Sequence, residues 1–386
     1  MALQCDSITG PLLTVRQHTS LLGWPIATSA VLLHTPMHLP FSTTRLTRRP
    51  LIACLFAAVA FPSAFAATSR FDVGSAAAKK GSGTALLERV NAATDTAALG
   101  KGARGEAVLR AQVLLDRAWF SSGEIDGIFG TNLQRSVRAF QRARGLQVNG
   151  RVDAATWKAL QGDTAAPVLV QYTLQEADTA GPFAALPKDV MERAKLKALD
   201  FESLHEALAE KFHCSPAWLR SANPGSGFAS GDSIVVPAVA QDEGGKAPTG
   251  ASALRIDKAG RVLSVLGKDD AVLAAFPISM GGSSDPLTVG RMEIKNAAKN
   301  PVFTFNPDLL KGTKKTDSKV DLPPGPNNPV GVYWLGLSKP HWGIHGTPHP
   351  ARVGTAESNG CIHLTNWDVL RLAQLVQIGF VVDVHA

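Results

Sequence analysis

HWGIHGTPHPARVGTAESNGCIHL, residues 341–364, carries the densest cluster of reactive side chains in the sequence: His341, His345, His349, Cys361 and His363. Cys361 follows Gly360, and a glycine beside a nucleophile lets an acyl carbonyl approach the backbone, where N–H groups can hold a developing oxyanion. A thiol is mostly protonated at neutral pH and needs a neighbouring base. His345 is the candidate: Ile344-His345-Gly346-Thr347 reads as a strand end entering a glycine turn, and the loop leading to Cys361, sixteen residues further on, can fold back toward it. Other readings compete. His, His and Cys could hold zinc, although no rigid helical pair such as His-Glu-x-x-His presents them and all sit in one loop region. Cys361 could also pair with Cys214 in an oxidising compartment, at the expense of a free nucleophile. His341 and His349, alone among Pro and Gly, read most simply as solvated side chains.

Working outward, residues 253–386 have β character. Short apolar runs at Leu254/Ile256, Val262–Leu266, Val272–Ile278, Val332–Leu335 and Phe380–Val384 are broken by Gly or charge. One late helix interrupts them, capped by Asn366, with Val369, Leu372, Ala373 and Val376 along one face and Gly379 as its stop. The length is ample for a separate core.

Gly-Val-Tyr-Trp-Leu (331–335), His-Trp-Gly-Ile-His-Gly-Thr (341–347), Gly354 and Ser-x-Gly-Cys-Ile (358–362), with Pro324–Gly331 upstream and Asn366-x-Asp368 downstream, resemble the YkuD-type L,D-transpeptidase domain. The resemblance implies that Cys361 is the nucleophile and His345 the general base, its imidazole oriented by a backbone carbonyl. Amides around Gly360 and Cys361 would form the oxyanion hole. Ser358, Asn359, His363, Gly346, Thr347, Tyr333 and Trp342 would line the substrate. No metal or other cofactor is implied. The commonest family motif reads Ser-His-Gly-Cys-Ile-Arg, so Asn359 and His363 depart from it. His363 replaces a permanent cation with a group expected to titrate near neutrality, which should alter carboxylate affinity or pH dependence. Leu287-Thr288-Val289-Gly290 also departs from the usual Thr-Pro-x-Gly turn.

Upstream, residues 99–161 read as a compact helical segment. Val108, Ala111, Leu115 and Ala118 recur at helical spacing, as do Leu133, Val137 and Phe140, with Thr131 as cap and a last helix opening at Asp153. Asp126-Gly127 and Asn149-Gly150 mark a degenerate repeat of tight turns. With Ala139-Phe140-Gln141 between them, the segment resembles the three-helix peptidoglycan-binding domain. Residues 170–237 run strand, helix, turn, helix, Asn223-Pro224 and a strand ending at Pro237, similar to a LysM glycan-binding module carrying a long charged insertion. Residues 238–252 read as a linker and 67–98 as a flexible lead-in.

Arg45, Arg48 and Arg49 precede the apolar run Leu51–Phe61 and Ser63-Ala64-Phe65-Ala66, the pattern of a secretory signal cleaved after Ala66. Met37 is the expected true start within this 1–66 region, and the run is too short for a membrane span. Most of the apolar run follows Cys54 instead of preceding it, which argues against a lipoprotein box. The net charge of +7 falls to about +4 once that region, with four Arg against one Asp, is removed, too mild to argue for nucleic acid.

The reading is a multidomain chain: a small all-α peptidoglycan-binding module, a LysM-like α/β segment, and a mostly-β, sandwich-like L,D-transpeptidase domain with one late helix. The expected protein is exported to the periplasm or wall and is not membrane-spanning after cleavage; its partners are peptidoglycan stem peptides and glycan strands. The alternatives are an L,D-carboxypeptidase of the same fold and an inactive wall-binding protein.

Overall fold

The computed structural model describes residues 73–93, 97–161, 166–239, 246–282, 286–309, 318–358 and 360–386. The signal-like region 1–66 lies outside them. No helix among the described residues is long and apolar enough to cross a membrane.

The stretch read as a flexible lead-in forms a helix, α1 (Val73–Ala92). Its Ala-rich composition has high helix propensity, and its last turn is anchored: Val90 is buried, and the Asn91 amide donates to Leu169 O (2.8 Å) while accepting from Val168 N and Leu169 N.

α2 (Glu106–Arg117), α3 (Thr131–Ala143) and α4 (Ala154–Gln161) follow, burying the residues picked out by spacing except Ala118, which follows α2 and is partly buried. Thr131 is the first residue of α3, with Gly130 before it, whereas Asp153 caps α4 by accepting from Thr156 N (2.9 Å). The two turns are built alike. Gln112 Oε1 accepts from Asp126 N and Gly127 N, and Gln141 Oε1 accepts from Asn149 N and Gly150 N. Gly127 and Gly150 have φ of 72° and 69°, the left-handed region that a side chain would strain.

β1 (Leu169–Thr173) leads into α5 (Glu176–Thr179) and α6 (Val190–Arg193), which lie in the charged insertion. α7 (Leu204–Lys211) and α8 (Pro216–Ala222) begin at Ser203 and Ser215, whose hydroxyls accept from Glu206 N and Trp218 N. β2 (Ser233–Pro237) then returns antiparallel to β1, Leu169 opposite Pro237.

The C-terminal region has β3 (Ala253–Asp257), β4 (Val262–Leu266), β5 (Val272–Pro277), β6 (Met280–Gly281), β7 (Gly290–Lys299), β8 (Phe303–Phe305), β9 (Val320–Leu322), β10 (Tyr333–Leu337), β11 (Gly343–His345), β12 (Glu357–Ser358), β13 (Ile362–His363), α9 (Asn366–Leu375) and β14 (Val381–His385). Eight of these strands form one sheet in the order β13-β11-β10-β7-β14-β3-β4-β5, in place of the expected sandwich. α9 packs on β10 and β11. Thr365, not Asn366, caps it by accepting from Asp368 N (3.1 Å), and it ends at Leu375 before Gly379. The β5 edge is covered by the N-terminal module: Ser121 N donates to Ala275 O (3.0 Å) and Ala275 N to Trp119 O (2.9 Å), which removes an open strand edge.

Candidate active site

β11 and β13 pair in parallel, Ile344 opposite Ile362 and His345 opposite His363. His345 and His363 stand at paired positions of these strands and share one face, and Cys361 immediately precedes β13. The loop between them therefore folds back as the sequence required. The His345 and His363 rings lie 4.4 Å apart between centroids. Trp334, opposite His345 on β10, stacks on that ring at 5.3 Å and 19°. Backbone bonds with Ser279 in both directions (3.0 and 2.8 Å) fix His363 from its other side.

His345 is 2% exposed, and its Nδ1 lies 2.7 Å from the carbonyl of Gly346. A carbonyl only accepts, so Nδ1 carries the proton and the basic lone pair is on Nε2. Burial, aided by His363, holds this imidazole well below its usual pKa, against the pull of the Gly346 carbonyl. It is a neutral base at neutral pH. Cys361 is partly buried and its Sγ–H donates to the His341 carbonyl at 3.5 Å. Gly360 has φ of 100°, a backbone conformation that L side chains rarely adopt.

Gly346 is held from beneath. A Cβ there, or on Gly331, would collide with the Asn366 carboxamide, so both glycines are required by close approach. Gly346 N donates to Tyr333 O (3.3 Å), which is where Tyr333 enters the site. Thr347 is buried and accepts from His349 N (3.3 Å). Trp342 is buried in the core, with the Lys339 ammonium 3.9 Å from its ring centroid. The backbone of Ser358 pairs with Gly281, and Asn359 lies outside the described residues.

A cavity of about 240 Å³ opens beside His363, lined by it and by Ser279, Asn327, Thr347, His349 and Arg352 among others; neither Cys361 nor His345 lines it. Burial, then the neighbouring His349, pushes the His363 imidazole down to about 4. The expectation that His363 titrates near neutrality therefore fails: it is uncharged there, because the sheet leaves it too little water to ionise. A larger cavity, about 970 Å³, is lined by Trp119, Lys211, His213, Trp367 and Arg371 among others, and includes neither Cys361 nor His345. No disulfide joins Cys214 and Cys361, which removes that reading. Cys214 is fully buried, and burial pushes its pKa up. Among the described residues no group of three His, Cys, Asp or Glu is arranged to hold a metal ion.

Trp334 and Asn327 were not singled out as site residues from the sequence. Trp334 carried a usable signal, since a strand residue directly opposite the base must touch it. Asn327 carried none, because its role comes from a loop that meets another module.

A neutral buried imidazole fixed by a carbonyl, on a strand beside the one that a glycine-preceded thiol leads into, is the arrangement that cysteine acyl transfer requires. Residues 251–384 match the family model YkuD, described as the L,D-transpeptidase catalytic domain, and residues 104–160 match a peptidoglycan binding domain. The protein of Bacillus subtilis (strain 168) named as an L,D-transpeptidase, YkuD, is 31% identical over 181 residues, covering 46% of this chain and 92% of that relative. Its namesake from Bacillus licheniformis is 31% identical over 177 residues, 45% of this chain and 88% of the relative. A Fuscovulum blasticum protein, named as an L,D-transpeptidase in the ATP synthase subunits region, is 36% identical over 104 residues, 27% of this chain and 53% of that relative. The chain belongs to the YkuD L,D-transpeptidase family, an enzyme family, and carries a peptidoglycan-binding domain ahead of its catalytic domain.

Proposed function

We propose that the protein is an exported peptidoglycan L,D-transpeptidase that uses Cys361 as nucleophile and His345 as general base. The observation that supports this reading is the β11–β13 register, which brings the strand ending in a neutral imidazole of fixed tautomer beside the strand that Cys361 leads into. In the first step Nε2 of His345 takes the Cys361 proton as sulfur attacks the carbonyl at the L–D bond of a tetrapeptide stem. The carbonyl oxygen gains the negative charge, which amides around Gly360 and Cys361 would hold. Collapse breaks the C–N bond, His345 returns its proton to the departing amine, and the terminal D-amino acid leaves. A thioester on Cys361 remains. In the second step an amine of another stem attacks the thioester and His345 takes its proton; the C–S bond breaks, the imidazolium returns that proton to sulfur, and the thiol is regenerated as a cross-link forms.

The peptidoglycan-binding domain supports the same substrate, since it would hold the enzyme against the polymer it modifies. Export is supported by the basic, apolar and Ala-x-Ala pattern of residues 45–66 and by the extracytoplasmic substrate. For residues 170–237, antiparallel pairing of β1 with β2 around α7 and α8 supports a LysM-like glycan contact.

Incubation with defined tetrapeptide muropeptides, read by mass, tests the proposal. Cross-linked dimers are expected. Tripeptides alone would make water the acceptor, and no change in the muropeptides would refute an acyl-transfer role.

A further inference from the structure

α7, which belongs to the N-terminal half of the molecule, presents Glu206 and Glu210 one helical turn apart toward the catalytic domain. Glu206 Oε1 accepts from Asn327 Nδ2 (2.8 Å), and Asn327 lines the cavity beside His363. Glu210 accepts from Asn366 Nδ2 through both oxygens, at 3.0 and 3.2 Å. The same Nδ2 donates to Pro326 O (3.1 Å), and Asn366 Oδ1 accepts from Val332 N (3.3 Å). Oδ1 also fills the space above Gly331 and Gly346, where no Cβ would fit. Gly346 in turn supplies the carbonyl that fixes Nδ1 of His345.

Contacts therefore run without a break from α7 to the imidazole: Glu210, Asn366, Gly346, His345. We propose that Glu210 is a positioning residue for His345, so that the N-terminal half of the chain sets the geometry of the general base. The inference rests on His345 acting as the base.

Without the Glu210 oxygens the Asn366 carboxamide keeps only Pro326 O and Val332 N as partners and is freer to rotate away from the two glycines. Gly346 then loses the wall that holds its carbonyl, and Nε2 is no longer fixed relative to the thiol. Glutamine keeps one acceptor oxygen at the same place, whereas leucine fills the volume and offers none.

The test uses the full mature chain and two readouts: alkylation of Cys361 by iodoacetamide, and turnover of a tetrapeptide muropeptide. Glu210→Leu is expected to slow alkylation and kcat by about 10- to 100-fold, the scale of an ångström-level misplacement, with KM nearly unchanged. Glu210→Gln is expected to restore both to within about threefold of the parent, since one good acceptor suffices. If Glu210→Leu unfolds, Asn366→Asp replaces it: nearly isosteric, it replaces the donated N–H bonds with a carboxyl oxygen facing Glu210 and Pro326 O, and should slow both readouts comparably. A folded Glu210→Leu or Asn366→Asp at parental rates overturns the inference. So does a Glu210→Gln variant as slow as Glu210→Leu. His345→Ala separates the two claims. Parental alkylation that does not depend on His345 would sink the base itself, whereas His345-dependent alkylation indifferent to Glu210 would sink only the inference.

Discussion

Burial penalises the protonated form of His345 more than the Gly346 carbonyl favours it, and this sets how the site responds to acid. The base works in its neutral form. Because its pKa lies well below the free value of 6.5, that form persists as pH falls through 6.5 and is lost only in more acidic solution. His363 adds no switch in this window, since it protonates near 4. We expect kcat/KM for a muropeptide to be nearly flat between about pH 6 and 7, with its acid limb below that window. An acid limb with its midpoint at or above the free imidazole value would contradict this. At this scale the sequence was informative about chemistry and misleading about environment. The pairing of the strand that ends at His345 with the strand after Cys361 was legible from residue types and spacing. The neutrality of His363 was not, because it follows from the register that buries its ring between β11 and Ser279.

The two clasped turns of the helical module show how an element is specified by few residues. Gln141 is fully buried, and its oxygen satisfies the amides of Asn149 and Gly150 while its nitrogen donates to Asn149 Oδ1 (2.9 Å). Gln141→Ala strands two backbone donors, at about 1–3 kcal/mol each. It should lower the midpoint of chemical unfolding and weaken binding of the isolated chain to purified wall sacculi. A variant with parental stability and binding would show the clasp to be dispensable. The Asp-Gly and Asn-Gly pairs were legible because tight turns have strong residue preferences, and the apolar runs of β3, β4, β5, β10 and β14 were legible for the same kind of reason. β7 was not: Gly290–Lys299 fully buries only Ile294 and Ala298, so it lacks the apolar run of a strand although it sits between β10 and β14. α1 was misread because Ala, Ser, Gly and Lys suit both a linker and a helix, and only docking through Val90 and Asn91 distinguishes them.

The modules are joined by a buried polar cluster that no local pattern announces. Asp116 of α2 accepts from Arg371 of α9 (2.9 Å) and lies 3.2 Å from His213 Nδ1, while Ser121 donates to Asp368 Oδ2 (2.8 Å). Removing one partner leaves a buried charge uncompensated, so Asp116→Ala should destabilise the folded chain by about 3–5 kcal/mol. Urea unfolding measures this, and a loss under about 1 kcal/mol would mean that solvent reaches Arg371 in the native state. Burial disfavours the Asp116 carboxylate, but Arg371 and His213 outweigh it and hold its pKa below 3.8; its stabilising share is thus complete above that value and fades as pH falls through the lower native one. The N-terminal region carries a separate expectation: the mature protein recovered from cells should begin at Ala67, as read by terminal sequencing, and an intact Met37 start would refute cleavage there.

The acyl-transfer account as a whole stands on one covalent bond. Mixing the mature protein with a tetrapeptide muropeptide, quenching early in acid and measuring the intact mass tests it most directly. The account predicts an adduct equal to the muropeptide minus its terminal D-amino acid, carried on the Cys361 peptide and absent from Cys361→Ala. Turnover persisting in Cys361→Ala, or an adduct mapped elsewhere, would contradict it.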